Sequence, residues 1–207
     1  MTPERNPVAA ALRRGAAAED TDVARATDGF LRRADSAGLI DVAYTTVDTP
    51  FGTMLLAATD RGLVRLGLPM ETFDGVLDEL ADRISPRVVE LPRRLDAARR
   101  EIDEYFSGAR REFDLPLDRR LITGAFAVRV LDELSQVPFG QAITYSEAAL
   151  RAGSPRAHRA AGNALGSNPI PLVIPCHRVV RSGGAIGGYG GGPELKRRLL
   201  LHEGWLS

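Results

Sequence analysis

Apolar and polar positions begin to alternate near Asp41. DVAYTTV (41–47) and TMLLAAT (53–59) read as strands, and Thr59-Asp60-Arg61-Gly62 is a hairpin turn signal leading into LVRLGL (63–68). ETFDGVLDELADRI (71–84) then has helical spacing, with Phe73, Val76, Leu77 and Leu80 on one side. RVVEL (87–91) reads as a strand, LDAARREIDEYFSG (95–108) as a helix stopped by Gly108, and REFDLPL (111–117) as a further extended piece. Residues 39–117 are therefore expected to form a small α/β domain, an antiparallel sheet with helices.

The second half, residues 118–207, reads as mainly helical. Thr123 can cap a helix running through Val137, with Phe126, Val130, Leu131 and Leu134 at core spacing, before Pro138-Phe139-Gly140 breaks it. Ser146, Glu147 and Ala148-Ala149-Leu150 begin a short helix ending at Gly153. Ser154-Pro155 is expected to open another, reaching about Leu165. Two helices joined by a tight turn outline a helix-turn-helix, and the second carries Arg156, His158 and Arg159. Residues 1–38 read as a partly disordered extension with one short amphipathic helix near DGFLRRADSAGL (28–39).

Composition narrows the class. At 207 residues, with 44% hydrophobic and 26% charged side chains, the chain suits one large domain or two small ones. No apolar run approaches the roughly 18 residues of a membrane span, and MTPERNPVAA lacks the order of a secretory signal. A cytoplasmic protein without membrane contact is expected. The single cysteine, Cys176, excludes an internal disulfide and a multi-cysteine zinc site. The formal net charge is zero, yet residues 151–207 hold eight basic residues against Glu194 and Glu203. A basic C-terminal part beside an acidic remainder suggests one face for a polyanion.

The chemistry concentrates in NPIPLVIPCHRVVRSGGAIGGYGGGPELKRRLLLHEG (168–204). Pro169, Pro171 and Pro175 forbid a helix and are expected to hold the chain extended up to Cys176. A lone cysteine is more often an inert core residue than a nucleophile. Here His177 and Arg178 follow it directly, and an imidazole or cation nearby favours a thiolate. Neighbours on a strand face opposite ways, so His177 needs a turn or a bridging water to reach Cys176. The glycines of 183–192 match neither phosphate-loop pattern, so a loop allowing close backbone approach is the better reading.

IPCHRVV, preceded by RAAGNALGSNP and followed by GAIGGYGGG, a lysine and LLLHEG, resembles the methylated-DNA–protein-cysteine methyltransferases, or O6-alkylguanine-DNA alkyltransferases. The likeness runs from Leu115 to Gly204 almost without gaps, and more loosely through TPFGTMLLAATDRGLVRL (49–66). It implies a ribonuclease-H-like α/β N-terminal domain and a winged helix-turn-helix C-terminal domain. The partner it implies is double-stranded DNA carrying O6-alkylguanine, bound through the minor groove by a monomer without cofactor or metal. The lesion is flipped out, and its alkyl group passes irreversibly to Cys176. By the same resemblance His177 removes the thiol proton through a water, Glu203 orients His177, and Tyr145 turns the target phosphate and protonates the base. Asn168 ties the cysteine loop to the helix-turn-helix. Arg159 is the finger that fills the vacated stack, with Arg156 beside it on the DNA face. Backbone carbonyls of Cys176 and Val179 read the guanine amine, Gly190 approaches O6, and Tyr189 and Lys196 line the pocket. The family's GTxFQxxVW helix is here TGAFAVRVL (123–131), which keeps Phe126 but loses the Gln and Trp.

Three other functions compete. A non-reactive lesion-binding module would lack the cysteine, which is present. A helix-turn-helix regulator would bind undamaged DNA as a dimer, and the chain carries no dimerisation signal. A cysteine hydrolase would need an oxyanion hole, which nothing here supplies.

Overall fold

Three strands, β1 (Val42–Thr49), β2 (Gly52–Thr59) and β3 (Gly62–Gly67), form antiparallel hairpins where the strand-like stretches and the turn signal place them. This computed structural model describes residues 22, 23 and 25–206. Residues 1–21 lie outside the described residues, and with them most of the extension expected over 1–38. Residues 25–36 form helix α1, at the amphipathic stretch. It belongs to a unit of its own, whereas residues 41–207 make a second compact unit.

A fourth strand, β4 (Val88–Glu90), lies beside β1 in the order β3-β2-β1-β4 and runs parallel to it. The sheet is thus mixed rather than wholly antiparallel. The cause is helix α2 (Phe73–Arg83), which carries the chain back across the sheet, as a parallel pairing requires. Val76 and Leu80 of α2 are buried against Val42, Leu55, Ala57 and Val64, with Phe73 and Leu77 packed beside them. In β2, Met54, Leu55, Leu56 and Ala57 are all buried, so both faces of this strand are covered and its sequence does not alternate.

Helix α3 (Asp96–Phe106) buries Ala98, Glu101, Ile102 and Tyr105, one face at helical period. The helices that follow are α4 (Ala125–Leu134), α5 (Tyr145–Arg151), α6 (His158–Gly166) and α7 (Gly192–His202). Strand β5 (Ile143–Thr144) pairs in parallel with β6 (Val179–Val180).

Several expected boundaries move. Helix α4 starts after Gly124, whose φ of 89° is left-handed, so Thr123 cannot be its cap. It ends at Leu134, three residues before Val137. Helix α5 starts at Tyr145 because Thr144 and Glu147 close a reciprocal capping box. Helix α6 begins at His158, not at Ser154-Pro155. Those residues form a turn in which Ala157 N–H donates to Ser154 O at 2.9 Å, and proline suits the second position of a turn as well as the first turn of a helix. Residues 169–175 are not extended throughout either. Leu172 has φ 75°, and Ile174 N–H reaches back to Ile170 O at 2.9 Å, folding the segment into a turn.

Candidate active site

This turn leads into a short 3-10 turn, Cys176–Arg178, that begins at the cysteine. Asn168, just after α6, holds the segment in place. Its Nδ2 donates to Ile174 O at 2.9 Å and to Cys176 Sγ at 3.2 Å, while its Oδ1 accepts from Ile170 N–H at 3.1 Å. Cys176 N–H donates to Ile174 O at 2.8 Å. The 3-10 turn supplies the change of direction that a strand would have denied, and it buries Cys176, His177 and Arg178 together.

Glu203 caps the C-terminus of α7 and is 5% exposed, and burial there is tolerable because donors surround the carboxylate. His177 Nε2 lies 2.9 Å from Oε1, and Tyr105 Oη donates to the same oxygen at 2.7 Å. Arg178 donates through Nε at 2.9 Å to Oε2 and through Nη2 at 2.8 Å to Oε1. Gly140 N–H adds a bond of 3.3 Å to Oε2. Burial alone would raise this acid, but the hydrogen bonds from His177 and Arg178 outweigh it and bring it to about 2.

Because Glu203 is ionised, the His177 proton sits on Nε2 and Nδ1 keeps its lone pair. Burial also pulls the imidazole below its ordinary value, against the pull of Glu203, so the ring is neutral at pH 7. Among the described residues, Nδ1 is buried without a hydrogen-bond partner. Burial pushes the Cys176 thiol up to about 11, against the Asn168 hydrogen bond and the Lys196 charge, which pull it down. The resting group is therefore a thiol, and a nucleophilic sulfur requires a base.

Cys176 lines a pocket of about 250 Å³ with Tyr145, Gly162, Leu165, Tyr189 and Gly190. Tyr145 opens α5 and donates to Gly188 O at 3.3 Å. A Cβ at Gly187, where φ is 75°, would lie 3.0 Å from the Tyr145 hydroxyl, so glycine is what lets the loop approach it. Lys196 is fully buried under this loop, donating to Val179 O at 2.5 Å and Gly188 O at 3.0 Å, and burial lowers it to about 8. Its amine ties β6 to the glycine loop.

The fold thus brings together Cys176, His177, Asn168, Glu203, Tyr145, Tyr189, Gly190, Lys196 and Val179. Of these, Tyr145, Cys176, Tyr189 and Gly190 line the pocket, whereas His177, Asn168, Glu203, Val179 and Lys196, the last expected in the lining, do not. Arg156 and Arg159 are exposed, Arg159 one turn before Gly162 on α6. Sequence reasoning treated Arg178 only as charge, although it follows His177 directly. It missed Tyr105, for which no local signal exists. Among the described residues, no cluster of His, Cys, Asp and Glu could hold a metal ion, and no helix is long and apolar enough to cross a membrane.

Two family models match the chain: "6-O-methylguanine DNA methyltransferase, ribonuclease-like domain" over residues 42–119 and "6-O-methylguanine DNA methyltransferase, DNA binding domain" over residues 125–205. A methylated-DNA–protein-cysteine methyltransferase of Mycolicibacterium paratuberculosis is 38% identical over 162 residues, covering 78% of this chain and 92% of its own. One from Mus musculus is 37% identical over 171 residues, covering 78% and 81%. The crystal structure of Mycobacterium tuberculosis O6-methylguanine methyltransferase superposes with a TM-score of 0.68 at 36% identity, covering 78% of this chain and 92% of that one. A structure of Mycobacterium tuberculosis OGT in complex with DNA gives the same score.

Proposed function

The chain belongs to the methylated-DNA–protein-cysteine methyltransferase family of DNA-repair enzymes, and from that premise we propose that Cys176 takes the alkyl group of an O6-alkylguanine in duplex DNA in a single irreversible turnover. The observation that carries the assignment is the buried series Cys176, His177, Glu203. It pairs a thiol with a neutral base and a fixed carboxylate behind that base.

The thiol proton leaves through a bridging water to Nδ1 of His177, while Glu203 holds the Nε2 proton and stabilises the imidazolium that forms. The sulfur bonds to the alkyl carbon, the C–O6 bond breaks, and its electron pair goes to the guanine. Tyr145, whose phenol burial keeps protonated, supplies a proton to the departing base. The product is a stable thioether, which explains why one protein molecule repairs one lesion.

Reaching the lesion requires extrusion of the nucleotide, which costs a few kcal/mol of stacking. Helices α5 and α6 form the helix-turn-helix that meets the minor groove. Arg159, exposed and without an ion pair among the described residues, inserts into the vacated stack, and Arg156 contacts the backbone. The carbonyls of Cys176 and Val179 accept from the guanine amine. Val179 O already accepts from Lys196 and has a second lone pair for this bond. Gly190 approaches O6, and Tyr189 closes the pocket. In this reading residues 39–117 are the α/β domain and 118–207 the alkyl-acceptor domain, and the protein acts as a cytoplasmic monomer.

Intact-protein mass spectrometry after mixing with a duplex bearing one O6-methylguanine tests the proposal. One added methyl, mapped to the Cys176 peptide and stoichiometric with repaired DNA, is the expected result. A bound, unrepaired duplex with no mass change would instead indicate a lesion-binding module.

A further inference from the structure

The carbonyl of Pro169, in the segment that leads to Cys176, is held by the N-terminal half of the chain. Leu66 N–H of β3 donates to it at 2.9 Å, and Arg65 Nη1 reaches it at 3.5 Å while donating to Leu66 O at 2.6 Å. The peptide that begins with this carbonyl ends at Ile170 N–H, which donates to Asn168 Oδ1 at 3.1 Å. A peptide is planar, so whatever fixes its carbonyl also fixes the direction of its N–H. With Oδ1 so occupied, the Asn168 amide turns Nδ2 towards Cys176 Sγ, 3.2 Å away. Two amides therefore lie in series between β3 and the sulfur, and each bond in such a chain polarises the next.

Arg65 is itself fixed from several sides. Its side chain is 11% exposed, Nη2 pairs with Glu71, and Nε donates to Glu79 Oε2 at 3.1 Å. Glu71 Oε2 accepts from Leu68 N–H at 2.7 Å, which keeps the guanidinium against the end of β3. Arg83 of α2 completes the group, donating to Glu79 Oε1 at 2.7 Å and to Leu121 O at 2.9 Å. Two arginines meet two glutamates, so the group presents no net charge to the cysteine. Its influence there is one of direction, and of the four side chains Arg65 is the one that reaches Pro169.

Resting on the alkyl-transfer reading above, we infer that Arg65 is a positioning residue for Cys176, acting through the 169–170 peptide and Asn168. The N-terminal half thus aims the nucleophile without touching it. The covalent step is unchanged: the S–C bond forms, the C–O6 bond breaks, the thiol proton leaves through His177, and the electron pair stays with guanine.

The test reads Cys176 of the full-length protein in two ways: its rate of reaction with iodoacetamide without DNA, and single-turnover methyl transfer from an O6-methylguanine duplex. Arg65→Met should slow both several-fold while DNA affinity and the circular dichroism spectrum stay unchanged. Arg65→Lys keeps a charge for Glu71 and Glu79 but lacks the fork that spans Glu79, Leu66 and Pro169, and should slow both as well. Asn168→Ala should also slow both, and adding Arg65→Met to it should slow neither further, because the two residues act in series. Arg83→Met weakens the same ion group but leaves Pro169 untouched, and should change neither rate. Wild-type rates in either folded Arg65 variant overturn the inference. So do losses that multiply in the double variant, or a loss in Arg83→Met as large as that in Arg65→Met, which would mark general loosening. Iodoacetamide rates that follow this pattern, with no methyl transfer by the wild-type protein, would keep the role of Arg65 and overturn the alkyl-transfer reading instead.

Discussion

The phenol of Tyr105 donates to Oε1 of Glu203 at 2.7 Å across 98 residues of sequence, so a helix of the N-terminal half reaches the carboxylate that orients His177. Tyr105 is fully buried, and burial together with the Glu203 charge holds its hydroxyl protonated far above neutral pH. Tyr105→Phe should cost about 1–3 kcal/mol in urea unfolding, because a buried acceptor loses one donor. Alkyl transfer should slow while DNA affinity is unchanged. An unaltered rate would mean that Arg178 alone sets the carboxylate.

Replacing Glu203 has a larger effect. Glu203→Gln leaves the Arg178 guanidinium buried without a counter-charge, and a broken buried pair costs roughly 3–5 kcal/mol. The same change alters acid unfolding. Glu203 titrates at about 2 when folded against an ordinary 4.5, so its contribution is present above pH 4.5 and lost as pH falls towards 2. Denaturant unfolding across that window should lose its slope in the variant; an identical slope would show that other carboxylates govern acid lability.

The pH dependence of transfer follows from the base. His177 titrates below its ordinary 6.5, so its lone pair is available throughout the neutral range. The single-turnover rate should be level near neutrality and fall on the acid side of 6.5, where a protonated ring accepts nothing. With a thiol at about 11, a rise in rate should appear only at strongly alkaline pH. A profile rising steadily through pH 8 would point to a thiolate mechanism that bypasses His177.

Asn168 stabilises the charged sulfur through its Nδ2 bond. Asn168→Ala should move thiolate formation, followed by ultraviolet absorbance of the intact protein, to higher pH than about 11. It also frees the turn at 170–174, so loss of structure by circular dichroism is the control. A thiol that titrates unchanged in a folded variant would remove the electrostatic role.

Arg159→Ala should slow repair of duplex more than reaction with free O6-alkylguanine base, because the base needs no flipping. Equal losses on both substrates would place Arg159 elsewhere in the reaction. DNA binding should weaken steeply with salt, as phosphate contacts do.

Much of this protein was determined by sequence alone. The strands β1 to β3 follow from strand-forming stretches bounded by turn signals, and helix α2 and its buried face from helical periodicity, all of them local patterns. Cys176, His177 and Asn168 were legible because PCHRV and the asparagine eight residues before the cysteine lie in one continuous segment. Only the tertiary structure decided what depends on distant partners. Ser154-Pro155 could open a helix or make a turn, and hydrogen bonding to Ala149 and Ala157 selected the turn. The prolines before Cys176 were compatible with an extended strand, but Asn168 folded them into a bend. Tyr105 and Arg178 gain their roles from meeting a carboxylate at the end of α7, and β3 meets the segment before the cysteine where Leu66 N–H donates to Pro169 O. Those contacts join residues far apart in the chain, and local pattern carries no information about which of them will meet.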